Sequence, residues 1–170
     1  YAVAIGYGTG QSSQGIQSVA IGINSGQFSQ DSNAVAIGNS AGQYTQGTQS
    51  VSIGILAGNF LQRQNSIAIG NTAGQNNQGV GATSSSGSIA IGSECAIHSQ
   101  GINAIAIGFQ AGYLTQNSGA ISIGYQSGRT GQGTNSVAIG YQAGQIAQSS
   151  SAVAIGNAAG NTGQASSAVA

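Results

Sequence analysis

The sequence predicts an all-β protein, a parallel β-solenoid of about ten coils of sixteen residues each. An Ile-Gly pair recurs from Ile5-Gly6 to Ile155-Gly156, and every interval is sixteen residues except one of twenty-two. A fixed period of this length is typical of solenoids. The residues before each pair alternate between large aliphatic and small side chains, which is the pattern of a β-strand. We therefore expect one β-roll repeat array over residues 1–170.

Each coil is numbered from the Ser or Ala that opens it, so that one coil runs from Ser136 to Ser151. Position two is Val or Ile, position four is Ile, and positions one and three are Ala or Ser. Because large apolar side chains favour burial, positions two and four are expected to point into the coil. Positions one and three would then form a small-residue outer face, which predicts close packing between identical chains.

Glycines divide the rest of the coil. The Gly at position five is expected to end the first strand, because it permits a turn that a Cβ would obstruct. A second Gly occupies position nine in every coil except one, which has Ala96. We predict a second short strand over positions seven to thirteen, interrupted by that Gly, and a return turn over positions fourteen to sixteen.

Position thirteen is Gln in all coils, from Gln14 to Gln164. Equivalent residues of stacked coils lie about 4.8 Å apart, so identical amides can hydrogen-bond along the column. The pattern predicts a structural amide ladder and not a ligand site, and the Gln and Asn at position ten are interpreted in the same way.

The interval of twenty-two residues predicts an insertion loop over residues 80–87. This stretch is rich in Gly and Ser and has almost nothing apolar to bury, so it is expected to form a flexible loop that decorates one coil.

Composition excludes several functions. With two Lys+Arg and two Asp+Glu the chain has no net charge, so it lacks the basic surface that binds nucleic acid or an anionic membrane. Its apolar runs are too short for membrane insertion. The chain starts without Met and ends inside a fresh copy of the motif, so we expect a fragment of a longer array.

One cluster of reactive residue types exists: Glu94, Cys95 and His98. Their spacing permits a metal site or a Cys/His nucleophile pair, but Cys95 falls in a column of Ala, Ser and Thr. A buried small residue beside a solvated His fits that column better. Two acidic residues cannot supply a calcium-binding β-roll. We therefore expect no catalytic, metal or cofactor-binding residue and no enzymatic activity.

Aromatic residues recur at the coil period in two places. The first set occupies position eleven and the second occupies position six of three successive coils: Phe28, Tyr44 and Phe60, then Phe109, Tyr125 and Tyr141. Stacked coils would turn each set into an aromatic ladder. Such ladders shield a turn or form an adhesive stripe for a partner, and the sequence leaves both readings open.

The recurrent Ser-Val-Ala-Ile-Gly, as in residues 136–140, resembles the head repeat of trimeric autotransporter adhesins, the YadA-like head. The resemblance covers practically the whole chain in ten copies, although the sixteen-residue unit is longer and richer in Gln than the family repeat. It implies a left-handed parallel β-roll and a homotrimer displayed outside the cell for attachment to host or surface ligands.

Three functions follow as hypotheses. The first is a non-enzymatic extracellular fibre segment or adhesin head, on a cell or virion surface. The second is a filament subunit that pairs end to end with identical chains through exposed strand edges. The third is an ice-binding solenoid, which usually requires a regular Thr array; the threonines here fall in different columns.

Overall fold

The computed structural model describes residues 1–81 and 86–170 and contains a parallel β-solenoid of about nine turns. The predicted all-β parallel solenoid is confirmed. Every paired strand in the described ranges is parallel to its neighbour, and consecutive pairs join equivalent positions of adjacent coils. Residues 82–85, the centre of the predicted insertion loop 80–87, lie outside the described residues.

The first sheet contains positions two to four of each coil. Its ten strands in the described ranges are β1 (Val3–Ile5), β3 (Val19–Ile21), β5 (Val35–Ile37), β7 (Val51–Ile53), β9 (Ile67–Ile69), β11 (Ile89–Ile91), β13 (Ile105–Ile107), β14 (Ile121–Ile123), β15 (Val137–Ile139) and β16 (Val153–Ile155). The register pairs each Val or Ile with its counterpart in the next coil, as in Val19 with Val35 and Ile21 with Ile37.

The second sheet contains positions eleven to thirteen. Its six strands in the described ranges are β2 (Ser12–Gln14), β4 (Phe28–Gln30), β6 (Tyr44–Gln46), β8 (Phe60–Gln62), β10 (Asn76–Val80) and β12 (His98–Gly101). Beyond β12 this side of the solenoid continues as isolated bridges, for example between Thr130 and Ile146.

The predicted start of the second strand at position seven is wrong. Position seven has a positive φ, as at Leu56 (φ 56°), and so does the Gly at position nine, as at Gly58 (φ 53°). Two left-handed residues this close together turn the chain, and parallel pairing with the next coil starts only at position eleven. The predicted return turn over positions fourteen to sixteen is confirmed.

The predicted direction of the side chains in the first strand is also wrong. Ser136 and Ala138 are fully buried, whereas Val137 and Ile139 are only half-buried. The interior of the coil is narrow, because the Gln of position thirteen reaches across it to the first strand. Only Ala and Ser fit beside that amide, so the larger Val and Ile face outward.

The Gly at position five has the role that the sequence predicts. At Gly124 φ is +128°, and an added Cβ would lie 2.5 Å from the carbonyl oxygen of Gly140 in the next coil. Both the backbone conformation and the stacking distance therefore require glycine there.

Candidate functional site

The buried glutamine ladder, formed by the Gln at position thirteen of each coil, holds the interior together. The Nε2 of Gln116 donates to the backbone oxygen of Ile105 (2.8 Å), that of Ala120 (3.1 Å) and Oε1 of Gln132 (3.1 Å). One amide thus closes its own coil, bonds the start of the next coil and bonds the next amide. The predicted amide ladder is confirmed.

The amide-to-amide bonds of this ladder donate towards the following coil. They join Gln14 to Gln30, Gln30 to Gln46, Gln62 to Gln78, Gln100 to Gln116, Gln116 to Gln132, Gln132 to Gln148 and Gln148 to Gln164, at 3.0–3.4 Å. Because both backbone partners are oxygen atoms, which only accept, the Nε2 end of each amide and not its Oε1 end must point at them. These glutamines are structural, because their Nε2 groups, and their buried Oε1 atoms except that of Gln100, are already used within the fold.

Further amide ladders lie nearer the surface and donate in the opposite direction. At position ten Gln43 donates to Gln27 (2.7 Å), and Gln27 donates to Gln11 (2.9 Å). The column predicted at position ten is therefore confirmed. At position seven Gln142 donates to Gln126 (3.0 Å), which the sequence analysis did not predict.

Glu94 ends the position-seven ladder. Gln126 donates to Gln110 (2.8 Å), and Gln110 donates to the carboxylate of Glu94 (2.7 Å). An ionised carboxylate only accepts hydrogen bonds, so it suits the acceptor end of a ladder in which every amide donates towards lower residue numbers. Arg129 joins this network through Nε to Gln110 (3.3 Å), and its guanidinium lies 5.4 Å from the ring centroid of Tyr113.

We call the outward Val and Ile of positions two and four the aliphatic face. It runs along all ten strands of the first sheet, and its side chains are half-buried in the inner coils and exposed at Val3, Ile5 and Ile155. Nine strand intervals of about 4.8 Å by three residues of about 3.3 Å give roughly 430 Å². An unbroken apolar surface of this size is often functional in a soluble protein.

The two predicted aromatic ladders are confirmed. In the first aromatic ladder, the ring centroids of Phe28 and Tyr44 are 5.4 Å apart and those of Tyr44 and Phe60 are 4.6 Å apart. In the second, the separations are 5.4 Å and 5.1 Å. The rings are nearly parallel and cover one another's faces. They therefore present their edges to solvent and cannot stack a sugar ring except at the ends of a ladder.

The cluster of Glu94, Cys95 and His98 is not brought together as a site. Cys95 is fully buried and its Sγ donates to the backbone oxygen of Ala106 (3.0 Å), while His98 is exposed and its ring lies edge-on to Tyr113. Burial raises the pKa of the Cys95 thiol to about 12, which opposes any role as a nucleophile. The expected arrangement, a buried small residue beside a solvated His, is confirmed.

Other candidate sites are sparse. Among residues 1–81 and 86–170, no three His, Cys, Asp or Glu side chains lie close enough to hold a metal ion. A depression of about 250 Å³ lies beside Arg63, and its remaining lining residues include no second ionisable group. In the part of the chain that the structure describes, no helix has the length and apolarity to span a membrane.

No protein-family model, curated protein or solved structure matches this chain.

The surface that sequence reasoning assigned wrongly is the aliphatic face. Alternation shows that positions two and four share a face, but it does not show which face is inside. The invariant Gln could have decided which face is inside. A polar side chain that occurs in every coil is expected in the interior of the coil, where its amide supplies hydrogen bonds to backbone groups.

Proposed function

We propose that this chain is a non-enzymatic extracellular structural or adhesive protein, a rigid rod in which identical chains pack side by side as a homotrimer. The observation that supports it is the aliphatic face, which a single chain leaves half-exposed along the whole solenoid. We further propose about ten coils with a left-handed turn, on the strength of the resemblance of the Ser-Val-Ala-Ile-Gly repeat to YadA-like heads.

An identical chain is the partner that fits this face best. The face repeats at the coil spacing and carries none of the four charged residues of the chain. A second copy presents the same spacing, so Val and Ile of two chains meet in step over many coils. In a threefold arrangement all three aliphatic faces are directed at one axis, which removes them from water together.

The remaining surface suits presentation to a ligand and not catalysis. It consists of amide ladders, exposed turns and the edges of the first aromatic ladder, which lies on the second sheet and so away from the aliphatic face. Such a rod offers repeated weak contacts to a surface, and repetition of weak sites on one rigid body raises the overall affinity.

The assembly is tested by measuring the mass of the folded chain in solution with light scattering. We expect about 50 kDa, three times the 16.5 kDa of one chain. The double variant Ile107→Glu/Ile123→Glu places charges on adjacent rungs of the aliphatic face and is expected to fall to the mass of one chain with an unchanged circular dichroism spectrum. The control Ile146→Glu, which replaces an exposed Ile on the other side, keeps the larger mass.

A monomeric mass for the folded wild-type chain would contradict the proposed trimer. Electron microscopy of the same sample separates the alternatives, because discrete short rods support the proposal and fibres of indefinite length support the filament subunit. Adhesion is tested separately: beads carrying the folded chain should be retained on a cell monolayer more than beads carrying the heat-unfolded chain.

A further inference from the structure

The buried glutamine ladder has a gap between Gln78 and Gln100. Nε2 of Gln78 donates to the backbone oxygens of Ile67 (2.6 Å) and Ser88 (3.3 Å), which are the two backbone positions that its counterparts use. The third bond, to the next amide, is missing. It is also missing between Gln46 and Gln62, but there the hydroxyl of Ser52 donates to Oε1 of Gln62 instead (2.7 Å). Among the described residues, Oε1 of Gln100 is a buried side-chain atom without a hydrogen-bond partner.

Ala96 gives a physical reason for the gap. In the nine coils with Gly at position nine, an added Cβ would lie 2.6–3.0 Å from the nearest atom of the same coil's Gln side chain. Ala96 carries that methyl group, in the left-handed conformation (φ 46°) that the glycines adopt. The methyl therefore lies beside the amide of Gln100. Nε2 of that amide keeps its bonds to the backbone oxygens of Ile89 (2.7 Å) and Ala104 (3.1 Å), and it is Oε1 that lacks a partner.

The second sheet is irregular at the same junction, whereas the first sheet is not. The pairing of β10 with β12 shifts register between Gln78 and Val80. On the other side of the coil, β9 and β11 pair in full register, and their flanking bonds, such as Gly92 N–H to Ile69 O (2.8 Å), have ordinary lengths. The discontinuity thus affects one side of the solenoid only.

We propose that the junction between the coils of Gln78 and Gln100 is a hinge, at which the second sheet separates while the first sheet stays paired. Opening breaks the backbone bonds from Gly74 N–H to Cys95 O (2.8 Å) and from Asn76 N–H to Ile97 O (2.9 Å). It exposes Cys95, the only thiol of the chain, which sits at this junction. The hinge lets a rod of stacked coils bend without losing its aliphatic face.

Alkylation of Cys95 can measure how often the hinge opens. In the closed state the side chain is fully buried and its pKa is raised to about 12, so almost no thiolate forms at pH 8 and no reagent reaches it. In the open state the thiol meets water and regains its ordinary acidity. The rate of alkylation under native conditions therefore reports the population of the open state.

The experiment alkylates the full chain with iodoacetamide at pH 8 and follows the added mass with time. The matched control is Cys95→Ala/Ser25→Cys, which places the thiol at the same buried position of a coil that has Gly26, a continuous ladder and a paired second sheet. We expect Cys95 to react at least about tenfold faster than the control thiol, since local opening precedes global unfolding. Equal rates for the two thiols would overturn the hinge.

A second variant tests the cause. Ala96→Gly removes the methyl group and is expected to slow alkylation of Cys95 about fivefold, because Gln78 can then donate to Gln100. An unchanged or faster rate in a folded Ala96→Gly chain would show that Ala96 does not create the gap. Hydrogen exchange in the wild type gives an independent reading. The amides of Gly74 and Asn76 should exchange faster than those of Gly26 and Phe28, which bond across the junction where Gln30 donates to Gln46 (3.0 Å), and equal protection would contradict the hinge.

Discussion

The first sheet runs through ten strands, whereas the second keeps six and continues beyond β12 only as isolated bridges among the described residues. Four successive positions of the coil, from the aliphatic position two to the Gly at position five, hardly vary in the first sheet. In the second sheet only the Gln at position thirteen is constant. Continuous pairing thus follows from uniform side chains at several neighbouring positions, whereas one invariant amide is enough to close the coil.

The largest effect is expected from a substitution of the position-five glycine, which ends each strand of the first sheet. Gly124→Val adds a Cβ that would lie 2.5 Å from the carbonyl oxygen of Gly140, at a φ of +128° that branched residues do not adopt. We expect a loss of more than about 4 kcal/mol in the free energy of unfolding, from urea denaturation followed by circular dichroism.

The control for this variant lies on the side of the second sheet. Gly131→Ala, in an inner coil, meets no atom closer than 3.8 Å, although φ is +68°, so it should cost only about 1 kcal/mol. Equal losses for the two variants would mean that the first sheet is no less tolerant than the second.

The next largest effect is expected from a substitution that removes one glutamine of the buried glutamine ladder. In Gln132→Leu the backbone oxygen of Ile121 loses its 2.7 Å bond, the amide of Gln116 loses one of its acceptors, and the hydroxyl of Ser122 loses its acceptor. Because all these groups are buried, we expect a loss of about 3 kcal/mol by urea denaturation. Gln145→Leu, in the half-buried ladder at position ten, should cost less than about 1 kcal/mol; similar losses for both would show that burial does not distinguish the ladders.

A smaller effect is expected in the first aromatic ladder, which stacks along strands β4, β6 and β8 of the second sheet. Tyr44 lies between two rings and Phe28 contacts one, so Tyr44→Ala should cost about 1–2 kcal/mol and Phe28→Ala about half of that. Hydrogen exchange of β6 should rise in Tyr44→Ala if the rings help to keep this part of the second sheet continuous, and unchanged exchange would assign them no such role.

Much of the fold could be predicted from the sequence, because its period is a physical repeat. The sixteen-residue interval determines that equivalent residues stack, and stacking alone predicts the amide ladder of position thirteen and both aromatic ladders. The buried state of Cys95 followed from its column of small residues. These features depend only on which residues are neighbours along the solenoid axis.

Features that depend on the cross-section of the coil could not be predicted in the same way. The direction of Val137 and Ile139 depends on how closely the two sheets approach, and that distance is set by a Gln side chain from the other sheet. The late start of the second strand follows from positive φ at residues such as Leu56 and Gln126, whose side chains give no sign of that conformation.

The sequence shows one part of the reason for the gap at Gln100. Ala96 stands out as the exception at position nine, but its meaning requires the position of the Gln amide relative to that Cβ. The capping of a ladder by Glu94 was likewise hidden, since the bond direction of the amides is a property of the folded chain.

The central claim, that small residues fill the coil and the aliphatic residues cover it, is tested most directly by two substitutions in one strand. Ala138 is fully buried, and an added Cβ at Gly144 would already lie 3.1 Å from its methyl group, so the interior has no room for a larger side chain. The free energy of unfolding is measured for Ala138→Leu and Ile139→Ala in the Ile107→Glu/Ile123→Glu background, which we expect to be monomeric. We predict a loss of about 3 kcal/mol for Ala138→Leu and about 1 kcal/mol for Ile139→Ala. A larger loss for Ile139→Ala than for Ala138→Leu would contradict the account and return the aliphatic residues to the interior.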